Sequence, residues 1–182
     1  MKYPRPWFAA LFFLLFHSIA SANTTSSLIE SQYSLGAGDL ILITVFGQED
    51  LTVETRLSNV GTIRYPFLGD IKLIGRSVSQ VEELIDEGLR GDFLVNPSVS
   101  VTVVEYRPFF IDGEVKKPGG YPYQPGLSFD RAVALAGGYT ERADKSQVDI
   151  RRIVNGREEE LELNTGDTVL PGDIITIPSR FF

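Results

Sequence analysis

Cysteine is absent from all 182 residues, and histidine, tryptophan and methionine occur once each, as His17, Trp7 and Met1. All three single residues fall in the first stretch of the chain, which has the pattern of a secretory signal. Lys2 and Arg5 form a charged start, Phe8 to Phe16 an apolar run, and Ala20-Ser21-Ala22 a small-residue cleavage site. Cleavage there gives a mature protein beginning at Asn23 with neither Cys nor His. That excludes a Ser-His-Asp triad, a cysteine nucleophile, histidine-based zinc sites and thiolate clusters, each of which needs a residue type the mature chain lacks. It also excludes disulfides, so packing alone holds the fold together in an oxidising compartment.

Long hydrophobic runs are lacking too. Phe8–Phe16 is too short for a spanning helix, which needs about 20 residues, and no later stretch approaches that length. Basic charge is scarce: without Lys2 and Arg5, 15 basic residues face 24 acidic ones, a net charge of −9. Such a balance disfavours binding to nucleic acid and to anionic lipid.

The remaining 160 residues suffice for one ordinary domain or two small ones. Residues 23–32 are polar and read as a flexible leader, with structure starting near Tyr33. Leu40 to Phe46 is a short, nearly continuous apolar run entered through Gly36-Ala37-Gly38-Asp39, the pattern of a buried strand after a turn. Leu51, Val53, Thr55 and Leu57 alternate with polar residues as a half-buried strand. After the turn at Asn59-Val60-Gly61, Thr62 to Tyr65 is expected to return as its partner.

Ser77-Val78-Ser79-Gln80 has the form of a capping box, with Val78, Val81, Leu84 or Ile85, and Leu89 at helical spacing behind it. Asn96-Pro97 breaks the chain, and Val99, Val101 and Val103 alternate along a strand reaching Tyr106.

A second unit follows from Arg107. It has an apolar strand at Phe109-Phe110-Ile111, a turn at Lys117-Pro118-Gly119-Gly120, and a helix from Phe129 to Ala136 with Ser128 as N-cap and Gly137 as its stop. Val148–Val154 and Arg157–Leu163 flank Asn155-Gly156, a strong hairpin signal, and Ile174–Ile177 is the last strand. Gly38-Asp39 before the first strand is echoed by Gly172-Asp173 before the last. Both read as structural turns in which glycine permits a positive φ and the carboxylate bonds nearby backbone amides. Gly137 and Gly138 are likewise read as turn residues.

Candidate chemistry is sparse. Glu49, Asp50, Glu54 and Asp70 nominally supply the carboxylate pair a glycosidase needs, yet they lie in turns or on the solvent side of a strand and read as surface. Gly36-Ala37-Gly38 precedes a strand and so is no phosphate loop. Glu158-Glu159-Glu160 reads as an exposed strand whose charges discourage edge pairing. Sugar recognition calls for polar groups beside aromatic faces. The concentrations are Arg64-Tyr65, Tyr106-Arg107, and Tyr121 with Tyr123, although a fold-supporting role is the simpler reading of each.

In order and spacing, these residues resemble the polysaccharide export (Wza-like) family. The resemblance rests on Tyr33-Ser34-Leu35-Gly36-Ala37-Gly38-Asp39 with Val45-Phe46-Gly47, on Gly61-Thr62-Ile63 with Tyr65-Pro66, on Gly75-Arg76-Ser77 and on Asn96-Pro97-Ser98-Val99. It continues through Gly113-Glu114-Val115, Pro118-Gly119, Tyr121, Ala136-Gly137-Gly138-Tyr139-Thr140 and Val148 to Arg152.

The resemblance implies an α+β fold: a small β-rich export domain with one helix over 33–106, then a soluble-ligand-binding β-grasp (SLBB) domain with one helix over 107–182. It also implies a non-catalytic role without cofactors. Copies of the chain would form a homo-oligomeric ring that passes a polysaccharide, aligned with an inner-membrane polysaccharide co-polymerase, in the periplasm and associated with the outer membrane. The best-known members resemble long lipoproteins with several β-grasp domains and a terminal amphipathic helix. This chain has one such domain, no lipidated cysteine, and ends at Arg180-Phe181-Phe182, so a separate outer-membrane protein is expected as a partner. The rivals are a periplasmic glycan-binding module without a conduit role and, further off, an enzyme.

Overall fold

The computed structural model describes residues 33–180 apart from 147, 155, 156, 163 and 165. The signal segment 1–22, the leader 23–32, the Asn155-Gly156 turn and the terminal Phe181-Phe182 lie outside the described residues.

The chain is α+β. Strands β1 (Leu40–Val45) and β2 (Gln48–Arg56) form a hairpin, and β5 (Val99–Glu105) adds antiparallel to the other side of β1, giving the order β2-β1-β5. Strand geometry turns every second residue of the apolar run in β1 inward, Ile41, Ile43 and Val45, all nearly inaccessible to solvent. Helix α1 (Val78–Leu89) lays Val81, Ile85 and Leu89 on that face. Its start is a complete capping box: Ser77 Oγ accepts from the Gln80 amide at 3.2 Å and Gln80 Oε1 accepts from the Ser77 amide at 2.9 Å. Glu82 fastens the helix to the sheet by accepting from the Val101 amide at 2.9 Å.

Thr62–Tyr65, strand β3, does not return to the Leu51–Leu57 segment as expected. It pairs with β4 (Gly69–Lys72) in a separate two-stranded sheet, while the partner of β2 is β1. The cause is local. A tight turn at Phe46-Gly47 folds β2 back on β1. A second, through Phe67 at φ 64°, folds β4 onto β3 before β3 can reach β2.

The second unit is one mixed sheet ordered β7-β6-β10-β8-β9. Its strands are β6 (Phe109–Gly113), β7 (Gly119–Tyr121), β8 (Asp149–Val154), β9 (Arg157–Glu162) and β10 (Ile174–Ile177). The central β6 and β10 run parallel, and helix α2 (Phe129–Leu135) covers them with Phe129, Ala132 and Val133. Gly119-Gly120, expected in a turn, is the start of β7. Ser128 occupies the N-cap position of α2 with extended backbone, but its side chain makes no capping bond; the Phe129 amide instead bonds the Asp167 carbonyl at 2.9 Å. Each unit has its own apolar core, one built around Ile41, Ile43 and Ile85, the other around Phe109, Ile111 and Ile175.

Candidate functional site

Each of the two Gly-Asp turns echoed in the sequence is tied by a pair of backbone bonds to the chain beside it. In the first, the Gly38 amide bonds the Leu57 carbonyl at 2.8 Å and the Leu57 amide returns to the Asp39 carbonyl at 2.8 Å. In the second, the Gly172 amide bonds the Pro108 carbonyl at 3.1 Å and the Phe110 amide returns to the Asp173 carbonyl at 2.8 Å. The return comes two residues further along because β10 lies parallel to β6, whereas Leu57 continues β2, which is antiparallel to β1. In both turns the aspartate reaches back to the amide three residues before it, Gly36 to Asp39 at 2.7 Å and Leu170 to Asp173 at 2.6 Å.

Both aspartates are buried, at 0% and 1% exposure, which a carboxylate tolerates only when charge and lone pairs are answered. Arginine answers each. Arg152 grips Asp173 with Nε at 2.9 Å and Nη2 at 2.7 Å, a bidentate fork. Asp39 takes the Arg107 backbone amide on Oδ1 at 2.8 Å, and on Oδ2 the Arg107 guanidinium at 3.1 Å and the Tyr33 hydroxyl at 2.5 Å. Tyr33 in turn accepts from Arg107 Nη1 at 2.6 Å.

Arg107 therefore sits between the two units and touches both turns. A Cβ added at Gly36 would lie 2.2 Å from its Nη1, and one added at Gly172 would lie 2.6 Å from its Nε. Three aromatic rings line the same joint, with Tyr33 edge-on to Tyr106 at 5.1 Å and Tyr106 edge-on to Tyr123 at 5.3 Å. Burial, then the neighbouring Asp39 charge, drives the Tyr33 phenol far above its ordinary ionisation range. Burial also raises Tyr65 to about 12 and pushes Tyr123 upward.

The residues singled out from sequence fall in three places. Tyr106, Arg107 and Tyr123 converge at the joint between the units. Tyr65 is inside the first core, its hydroxyl donating to the Leu51 carbonyl at 2.9 Å, and its neighbour Arg64 is exposed on β3. Tyr121 is half-buried, stacked on Phe109 at 5.8 Å, and its hydroxyl donates to the Lys117 carbonyl. Gly137 and Gly138 follow α2 with φ of 80° and 85°. Glu49, Asp50, Glu54 and Asp70 are all exposed. Among the described residues no group of three or more acidic or metal-binding side chains is placed to hold an ion.

Sequence reasoning missed Tyr33 and Arg152 as partners of the buried aspartates. The signal was present: a repeated buried Gly-Asp turn requires a cation for each carboxylate. It also missed a surface pair, Phe67 and Phe93, whose rings stack at 4.8 Å while 65% and 46% exposed.

Comparison with known proteins assigns this architecture. Residues 28–104 match the family described as "Polysaccharide biosynthesis/export protein", and residues 108–161 match the SLBB domain. The exopolysaccharide production protein ExoF of Rhizobium meliloti is 40% identical over 101 residues, covering 54% of this chain and 24% of ExoF. The EPS I polysaccharide export outer membrane protein EpsA of Ralstonia nicotianae is 26% identical over 147 residues, 66% of this chain and 38% of EpsA. The polysialic acid transport protein KpsD of Escherichia coli is 22% identical over 174 residues, 87% of this chain and 31% of KpsD. The chain thus spans well under half the length of each of these relatives. With both matches in order on the two cores, the chain belongs to the polysaccharide export protein family.

Proposed function

We propose that this protein is a non-catalytic subunit of a capsular or exopolysaccharide export system, acting in the periplasm in association with the outer membrane. In this reading residues 33–106 form an export domain and 107–182 an SLBB domain. Copies stand side by side in a ring around the moving polymer, between an inner-membrane co-polymerase and a separate outer-membrane protein. No bond is made or broken, and the driving energy comes from synthesis.

The observation that carries the reading is the joint at Arg107. It sets the two matched regions in one orientation through a buried ion pair, the kind of rigidity a wall element needs. Among the described residues no helix is long and apolar enough to cross a membrane. Contact with the polymer falls in this reading to exposed Arg64 and to the half-buried Tyr106, Arg107 and Tyr121, rather than to Tyr65 and Tyr123, which belong to the cores.

A second reading, glycan capture without a conduit, draws on the stacked Phe67–Phe93 pair, since exposed aromatic faces suit sugar rings. Deleting the gene distinguishes them. An export subunit acts after synthesis, so surface polysaccharide disappears while the cytoplasmic sugar-nucleotide supply is intact. Normal surface polysaccharide in the deletion strain overturns the export reading.

A further inference from the structure

The five-stranded sheet is open on both sides, and its two edges carry opposite charge. Among the described residues, β9 is the outer strand at one side and β7 at the other. β9 reads Arg157-Glu158-Glu159-Glu160-Leu161-Glu162 and is exposed throughout. The segment entering β7 contains Lys116 and Lys117, both exposed.

The register places Glu162 and the two lysines toward the same end of the sheet. One row runs Glu160, Arg151, Ile174, Phe110, Gly120 across all five strands. Two residues further along, the row runs Glu162, Asp149, Thr176, Asp112, and the β6–β7 register carried one step past its last pair, Ile111 with Gly119, meets Pro118, with Lys117 and Lys116 following beyond it. Strand directions fit as well. β9 runs with β6 and β10, and β7 runs against them, so β9 of one copy laid beside β7 of the next, without inversion, makes an antiparallel pair.

Charged edges ordinarily block strand addition, and here β9 against β9 sets glutamates face to face, while β7 against β7 leaves the lysines at opposite ends, each without an acidic partner. Of these two edges, only β9 with β7 joins unlike charges. That combination disfavours a two-fold dimer and favours a head-to-tail contact, the type that closes into a ring when each step turns by a fixed angle.

We propose that the β9 edge, through Glu160 and Glu162, docks against the Lys116-Lys117 end of the β7 edge of a second copy of this chain. The proposal rests on the ring reading above and names its interface.

The test uses the full chain purified from the periplasm, with assembly followed by sedimentation velocity and folding by circular dichroism. One variant carries Lys116→Glu and Lys117→Glu, so both its edges are acidic; the other carries Glu160→Lys and Glu162→Lys, so both are basic. Each alone should associate about tenfold or more weakly than the unaltered chain, and an equimolar mixture should assemble again because its edges are complementary. If the unaltered chain assembles and both variants assemble equally well, this interface is wrong while the ring reading stands. If each variant dissociates and the mixture stays dissociated, complementary edge docking is overturned. A chain that is monomeric at every concentration removes the ring reading and this interface with it.

Discussion

Arg107 holds Asp39 twice, through its backbone amide at 2.8 Å and through its guanidinium at 3.1 Å. The amide bond depends only on where the chain runs, whereas the guanidinium bond depends on the side chain, so substitutions separate the two. Removing Asp39 abolishes both and leaves Arg107 partly buried beside two tyrosines. Asp39→Ala should cost about 3 kcal/mol or more, read from the urea midpoint. Arg107→Met, which keeps the amide bond and the stem but not the charge, strands the carboxylate and should cost a similar amount. An unchanged midpoint for either variant would show that the pair contributes no stability.

Tyr33 donates to Asp39 and accepts from Arg107, so its hydroxyl completes the joint. Tyr33→Phe keeps the ring against Tyr106 and loses both bonds. A loss of about 1–3 kcal/mol is expected in equilibrium unfolding.

Alkaline pH should weaken the fold through the buried phenols. The Tyr65 phenol is raised from 10.0 to about 12 by burial. Below pH 10 it is protonated in both folded and unfolded chains, and its contribution is constant. Between 10 and 12 the unfolded chain releases the proton while the folded chain keeps it, so stability falls through that window and levels off above it. Denaturant midpoints measured from pH 8 to 12.5 should fall less steeply in Tyr65→Phe than in the unaltered chain. Identical slopes would refute the assignment.

Gly137 follows α2 at φ 80°, and a Cβ there would meet the Lys116 Cβ at 3.3 Å. Gly137→Val should therefore destabilise the second unit by about 1 kcal/mol or more, seen as a lower thermal midpoint. Gly172→Ala acts differently. Its new methyl would lie 2.6 Å from Arg107 Nε and push the guanidinium away. The loss should shrink when combined with Arg107→Ala, a coupling that a double-mutant cycle measures.

Local pattern made much of this fold readable. The capping box at Ser77 and the limits of β10 need only neighbours in the chain and stand where the sequence puts them, while the apolar run read as a buried strand to Phe46 forms β1 but ends at Val45, with Phe46 exposed in the turn. Short strands were harder. β4 has a single aliphatic residue, Ile71, and β7 begins with two glycines, so neither shows a period to recognise. The choice of partner for β3 turned on Phe67 adopting a left-handed backbone, which an aromatic residue rarely does. Arg107 drew notice beside Tyr106 as a contact for sugar, but its carboxylate lies 68 residues away, beyond any periodicity argument.

That separation orders events as the chain emerges from its N-terminus. The Asp173 carboxylate finds its arginine 21 residues earlier in the chain, so the cation is already present when the last turn emerges. Asp39 has the opposite experience: it emerges first and waits 68 residues for the cation that lets it be buried. Until then its carboxylate must stay hydrated, which keeps the turn before β1 open. The turn before β1 is therefore completed only when the first residue of the half that follows has arrived.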